Sequence, residues 1–144
     1  MNRIFMDSSA LFAAMLSSTG AARELVRLAI NDEIELVISE DVVVETRRNI
    51  ERKVPELLDL VDRLLDAVDP EIVPSPSKKA VRIAEAYVAK KDAFIIAAAI
   101  DANVDFVATF DRQHLIDPPQ VSSRSGLNIE TPGTILNQLR GEDD

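Results

Sequence analysis

The chain contains no cysteine. That excludes a disulfide framework, a thiol nucleophile and a cysteine-ligated zinc or iron–sulfur centre. Its one histidine, His114, excludes any two-histidine metal motif. No apolar stretch approaches the roughly 18 residues needed to span a bilayer. Asp7 interrupts the first apolar run, so the start does not read as a secretion signal, and a cytoplasmic location is expected. Positive charge is also short: 16 Lys+Arg against 25 Asp+Glu leave a formal net charge of −9. This argues against coating nucleic acid by bulk electrostatics, while leaving room for a local basic rim or a bound metal ion. Glycine is scarce, at 4 residues, and a composition 47% hydrophobic and 28% charged belongs to a globular chain. The 144 residues suffice for one domain, 1–144, with its own core, ending in a solvated acidic tail, Glu142-Asp143-Asp144.

What is present is an alternation of short apolar runs with amphipathic stretches. Arg3-Ile4-Phe5-Met6 reads as a buried strand that ends abruptly in Asp7-Ser8-Ser9, with a helix over 10–16. A second helix follows over 21–31 and a second strand over 33–38. Ser39 caps a helix from Glu40 to Lys53, and Pro55 opens another that runs to about Val68. Glu71-Ile72-Val73 reads as a third strand, and Ser77 caps a helix from Lys78 to about Ala89. Asp92 heads a nearly all-apolar helix, 93–102, and a fourth strand, 105–109, runs out toward Asp111. Residues 117–126 read as a surface loop, 127–129 as a fifth strand and 134–140 as a last helix. Strands alternating with helices make a parallel sheet the default architecture.

The acids fall in a pattern. Asp7 follows strand one and Asp111 follows strand four, while Glu45 lies in the helix after strand two and Asp92 heads the most apolar helix. In open α/β sheets the ligand crevice lies outside the carboxyl ends of the strands. If strands one and four are neighbours, all four acids can converge there. Each also has a plainer reading: Asp7 or Asp111 as a cap, Asp92 as a first-turn acid complementing the helix dipole, Glu45 as a surface residue. Four carboxylates in one small volume repel strongly; at about 4 Å and an effective dielectric near 20, two like charges cost roughly 4 kcal/mol. Such a cluster persists when partly protonated or when a cation neutralises it. Oxygen-only ligands, without histidine or cysteine, favour Mg2+ or Mn2+, and ions so held promote phosphodiester hydrolysis.

The sequence resembles a PIN domain. The likeness rests on Met6-Asp7-Ser8-Ser9-Ala10-Leu11, on 39–45 ending in Glu45, on Asp92 with its apolar helix, on 105–111 ending in Asp111, and on 129–136. It implies a three-layer α/β/α fold with a central parallel sheet of order 3-2-1-4-5, and a Mg2+- or Mn2+-dependent endoribonuclease. Carried over residue by residue, Asp7, Glu45, Asp92 and Asp111 become the catalytic quartet, with Asp7, Asp92 and Asp111 as metal ligands. Ser8 and Thr109 match supporting hydroxyl positions. Small members of the family are often VapC-type toxins, homodimers neutralised by an antitoxin partner. Arg112-Gln113-His114 stands where some members carry a further acid, so a single firmly held ion is expected.

Arg47, Arg48, Lys90, Lys91 and Arg112 are candidates for holding RNA phosphates, against the reading of a solvated face. His114 is read as a surface-loop residue, with help in proton transfer as the alternative, and Phe12, Phe94, Phe106 and Tyr87 as packing. The alternatives are a catalytically silent scaffold of the same family, or a ribonuclease working in RNA processing outside a toxin–antitoxin pair. A haloacid-dehalogenase-type phosphatase needs an Asp where Ser9 stands, and a receiver domain needs a late-strand lysine that strand five lacks.

Overall fold

The computed structural model describes residues 1–141; the acidic tail expected at 142–144 lies outside the described residues. Five strands, β1 (Arg3–Met6), β2 (Glu35–Ser39), β3 (Glu71–Val73), β4 (Phe106–Ala108) and β5 (Ile129–Glu130), form one sheet. Its order is β3-β2-β1-β4-β5, and every pairing is parallel. β1 lies at the centre, where Ile4, Phe5 and Met6 are completely buried. An uninterrupted apolar run suits that position, because helices cover such a strand on both faces.

The helices are α1 (Ser8–Leu16), α2 (Ala21–Ile30), α3 (Glu40–Lys53), α4 (Leu58–Val68), α5 (Lys78–Glu85), α6 (Ala93–Ala102), α7 (Pro119–Ser125) and α8 (Pro132–Leu139). α2 packs against α1, α4 and α8, whereas α5 packs on α6. Local chemistry sets the boundaries. Ser39, Ser77 and Thr131 each accept a backbone N–H at a helix start. Asn103, at φ 54°, ends α6 in the left-handed region that asparagine tolerates. No helix among the described residues is long and apolar enough to cross a membrane.

Two expectations about elements fail. The stretch read as a surface loop over 117–126 contains α7: Pro119 presets the first turn, Val121 is buried, and Gly126 at φ 75° closes the helix. The helix expected to reach Ala89 ends at Glu85, since Tyr87 and Val88 are buried by a turn in which Tyr87 N–H bonds to Ala84 O.

Candidate active site

The register Phe5↔Val107 and Met6↔Ala108 brings the ends of β1 and β4 side by side, so Asp7 and Thr109 leave the sheet together. Asp7 is the N-cap of α1, its Oδ1 accepting Ala10 N–H at 2.9 Å. The cap reading and the crevice reading therefore hold for the same residue. Ser9 Oγ donates to Asp7 Oδ1 at 2.7 Å, and Thr109 Oγ1 donates to Oδ2. The same two hydroxyls accept the next backbone groups along, Phe110 N–H at 3.0 Å for Ser9 and Asp111 N–H at 3.0 Å for Thr109. Two hydroxyls thus tie the segment leaving β4 to the carboxylate leaving β1. Burial pushes the Asp7 carboxyl above its ordinary value, against the hydrogen bonds from Thr109, Ala10 and Ser9.

Asp92 reaches the same place differently. The tight turn Lys90–Asp92 delivers it to the head of α6, but its side chain makes no capping hydrogen bond. It is only 7% exposed, and its Oδ2 is buried without a hydrogen-bond partner among the described residues. Lys91 Nζ lies 3.3 Å from that oxygen, an ionic contact without hydrogen-bond geometry, and 3.6 Å from Asp111 Oδ2. Asp111 begins a wide helical turn, Arg112–Ile116. Its Oδ1 accepts His114 N–H at 3.0 Å and faces the His114 ring Nδ1 at 3.2 Å. Burial raises the Asp111 carboxyl, but His114 and the Lys91 ammonium together outweigh it and leave the group below its ordinary value. Glu45 projects from the second turn of α3 and accepts a hydrogen bond from Ser8 Oγ.

Asp7, Glu45, Asp92 and Asp111 all line one cavity of ≈ 270 Å3 together with Ser8, Ser9, Lys91 and Ile95. Thr109 is wholly buried beneath it. One ligand atom each from Asp92, Asp111 and His114 lie within 4.8 Å of one another, a spacing that can hold a metal ion. The donor set fits a hard divalent cation: carboxylate oxygens, one of them buried without a hydrogen bond, and a single imidazole.

A second groove of ≈ 370 Å3 shares Ser8, Glu45, Lys91 and Ile95 with this cavity and extends along Arg48, Val44 and Phe94. Of the five basic candidates, Arg48 and Lys91 line these two spaces. Arg47 is ion-paired to Asp62 of α4, and Lys90 and Arg112 are exposed side chains that line neither. Phe94, expected in the core, is 48% exposed on the groove wall. An almost uniformly apolar helix has no polar stripe to say which face is buried. Phe12 and Phe106 are half-buried against the core and Tyr87 is buried in it.

One contributor escaped the sequence reading and another was set below its plainer alternative. Ser9 holds Asp7 more directly than Ser8 does, for Ser8 points to Glu45. His114 is half-buried beside Asp111 rather than on a surface loop. Its i,i+3 spacing from Asp111 was the available signal, and it carries information only once the turn is known to be helical.

No curated protein sequence matches the chain. Solved structures do resemble it. VapBC2 from Rickettsia felis, crystallised bound to a DNA fragment from their promoter, gives a TM-score of 0.65 at 16% identity, covering 90% of this chain and 98% of that chain. PAE2754 from Pyrobaculum aerophilum gives 0.65 at 17% identity, covering 98% and 91% respectively. VapC20 from Mycobacterium tuberculosis, a Sarcin-Ricin loop cleaving toxin, gives 0.57 at 16% identity, covering 76% and 91%. At such identities the likeness is one of fold. The family model described as PIN domain matches residues 4–117, four strands and the whole acidic quartet included, and the chain belongs to the PIN domain family.

Proposed function

We propose that this protein is a Mg2+- or Mn2+-dependent endoribonuclease that hydrolyses RNA phosphodiester bonds, and the toxin of a toxin–antitoxin pair. One observation carries the reading: a buried Asp92 oxygen without a hydrogen bond, on a cavity that three further carboxylates line. The Lys91 ammonium at 3.3 Å offsets its charge without a hydrogen bond, and a buried acceptor left without one costs about 1–3 kcal/mol, which is tolerated where a ligand completes it. Asp92 and Asp111 would offer the Oδ2 atoms that face the Lys91 ammonium, and Asp7 would support the ion from the β1 side through Oδ2, which keeps a lone pair beside Thr109 Oγ1 while Ala10 N–H and Ser9 Oγ–H fill Oδ1. An ion held there would supply a bound water of lowered pKa and stabilise the charge that develops in phosphodiester hydrolysis.

The chain's own residues divide the remaining work. Glu45 is exposed to the cavity and accepts Ser8 Oγ–H, so its orientation is fixed while its second oxygen is available to take a proton from the attacking water. Ser9 and Thr109 hold Asp7 in one rotamer from either side. Arg48 and Lys91 stand where the phosphates of a bound strand would pass. The toxin assignment and an antitoxin partner are supported by the likeness to VapBC2 and VapC20, and the substrate class by the Sarcin-Ricin loop cleavage of VapC20; a homodimeric state rests on the family resemblance alone.

The test is cleavage of labelled RNA with Mn2+, with EDTA, and by Asp92→Asn. Metal-dependent cleavage that the variant loses at unchanged melting temperature is expected. Equal cleavage in EDTA, or by the variant, would contradict the proposal. A catalytically silent scaffold need not bind Mn2+, so absence of binding in a calorimetric titration would favour that reading.

A further inference from the structure

We infer that Lys91 is the internal counter-ion of the acidic cavity, occupying the ground between Asp92 and Asp111 that a divalent cation must take, so that its displacement sets the affinity for metal. This rests on the metal-binding reading above and goes beyond it to a residue with no carboxylate. The Lys91 ammonium faces the Oδ2 atoms of both acids, at 3.3 and 3.6 Å. The other Asp111 oxygen is turned away to His114, and Asp92 Oδ2 has no hydrogen bond, so these two oxygens are the ones left for a cation. Both contacts are longer than a good charge-assisted hydrogen bond, so the ammonium neutralises the pair without locking it.

The side chain is able to leave. Lys91 sits in the turn Lys90–Asp92, immediately before Asp92, with its side chain 62% exposed on a flexible stem. It also lines the groove that continues past Arg48 and Phe94, which gives the displaced ammonium somewhere to go. An ammonium and a divalent ion pressed against the same two oxygens repel each other strongly. Metal binding and the Lys91 contact are therefore mutually exclusive. By the same exchange, the protein folds with its buried acid neutralised before metal arrives, and releases a cation toward the groove when metal binds.

Mn2+ titrations by calorimetry on the unaltered protein, Lys91→Met, Lys91→Gln and Lys91→Arg test this, with thermal melts in EDTA and in Mn2+. Removing a competing charge is expected to tighten Mn2+ binding about tenfold, within the roughly 5–150-fold span of ordinary site coupling. Met and Gln should both show it, and Arg, which keeps the charge, should stay near the unaltered protein. The two uncharged variants should also melt lower in EDTA and gain more from Mn2+. Unchanged or weaker Mn2+ binding in Met and Gln would overturn the inference while leaving the metal site standing. Equal tightening in Arg would overturn the charge argument. Mn2+ binding by none of the four proteins would overturn the metal reading itself, and this inference with it.

Discussion

The two ends of the sheet hold acids in opposite ways. At the amino ends of the strands, Arg3 bridges Glu35 at 3.0 Å and Glu71 at 2.9 Å and donates to Ala102 O at 2.8 Å, while its backbone N–H meets Asp105 Oδ2 at 2.7 Å. A planar guanidinium rooted in β1 thus ties β1, β2, β3 and the entry to β4 together. Hydrogen bonding to Glu71 raises its pKa further, so the charge is permanent. At the carboxyl ends, four acids share a cavity with one exposed lysine and no arginine of that kind. The first arrangement is complete. The second leaves a buried Asp92 oxygen without a hydrogen bond, which costs stability and marks it as the end proposed to bind a cation. Identical residue types serve structure or chemistry according to whether a fixed cation has been folded in with them.

The difference can be broken from either side. Asp92→Asn should have the largest effect: losing the several kcal/mol that a held ion contributes corresponds to about 10²–10³-fold in RNA cleavage. Gel assays of cleavage, beside an unchanged melting curve, check it. Arg3→Ala at the other end should lower unfolding stability in urea by about 1–3 kcal/mol, allowing for partial solvent screening. Cleavage per folded molecule should not change, and a large loss would mean the two ends are not separate.

Thr109→Val sharpens the account of the carboxyl end. It removes a hydrogen bond that favours ionised Asp7. The Asp7 pKa should rise further, the acid limb of the pH–rate profile should move to higher pH, and activity should fall about tenfold, as for other supporting contacts at metal sites.

In metal-free protein, the two neighbouring acids should respond to pH with opposite sign. Asp7 titrates higher folded than unfolded, so native protein binds the extra proton and its contribution falls as pH rises from the ordinary carboxylate value toward the raised one. Asp111 is lowered, so its contribution is present above the ordinary value and is lost as pH falls through the folded one. Melts in EDTA across pH should show Asp7→Asn stabilising at neutral pH and Asp111→Asn destabilising. The smallest effect belongs to Arg47→Ala: an exposed pair with Asp62 should contribute no more than about 0.5 kcal/mol, and cleavage should be unaltered.

Much of this was legible before any coordinates. An acid directly after the apolar run Ile4-Phe5-Met6, and another beyond 105–109, carried their meaning in position, because a buried parallel strand points its carboxyl end at the crevice. The order of the strands rested on family resemblance, since pairing of Ile4 with Phe106 is a contact a hundred residues apart that no local pattern encodes. What escaped has physical causes. The face of α6 could not be read because nearly all of it is apolar, which hid the exposure of Phe94. α7 was hidden by its serines and prolines, which mark loops until a single docked Val121 holds a helix together. Lys91 is expected at RNA phosphates and His114 on a loop or in proton transfer, but their contacts with Asp92 and Asp111 are side-chain encounters that depend on how turns are closed.

The most direct measurement is anomalous scattering from a crystal soaked in Mn2+. The strongest peak is expected in the cavity at the carboxyl ends, between the Oδ2 atoms of Asp92 and Asp111, with the Lys91 ammonium moved off both. A cavity without density, its lysine still against the two acids at saturating Mn2+, would contradict the account.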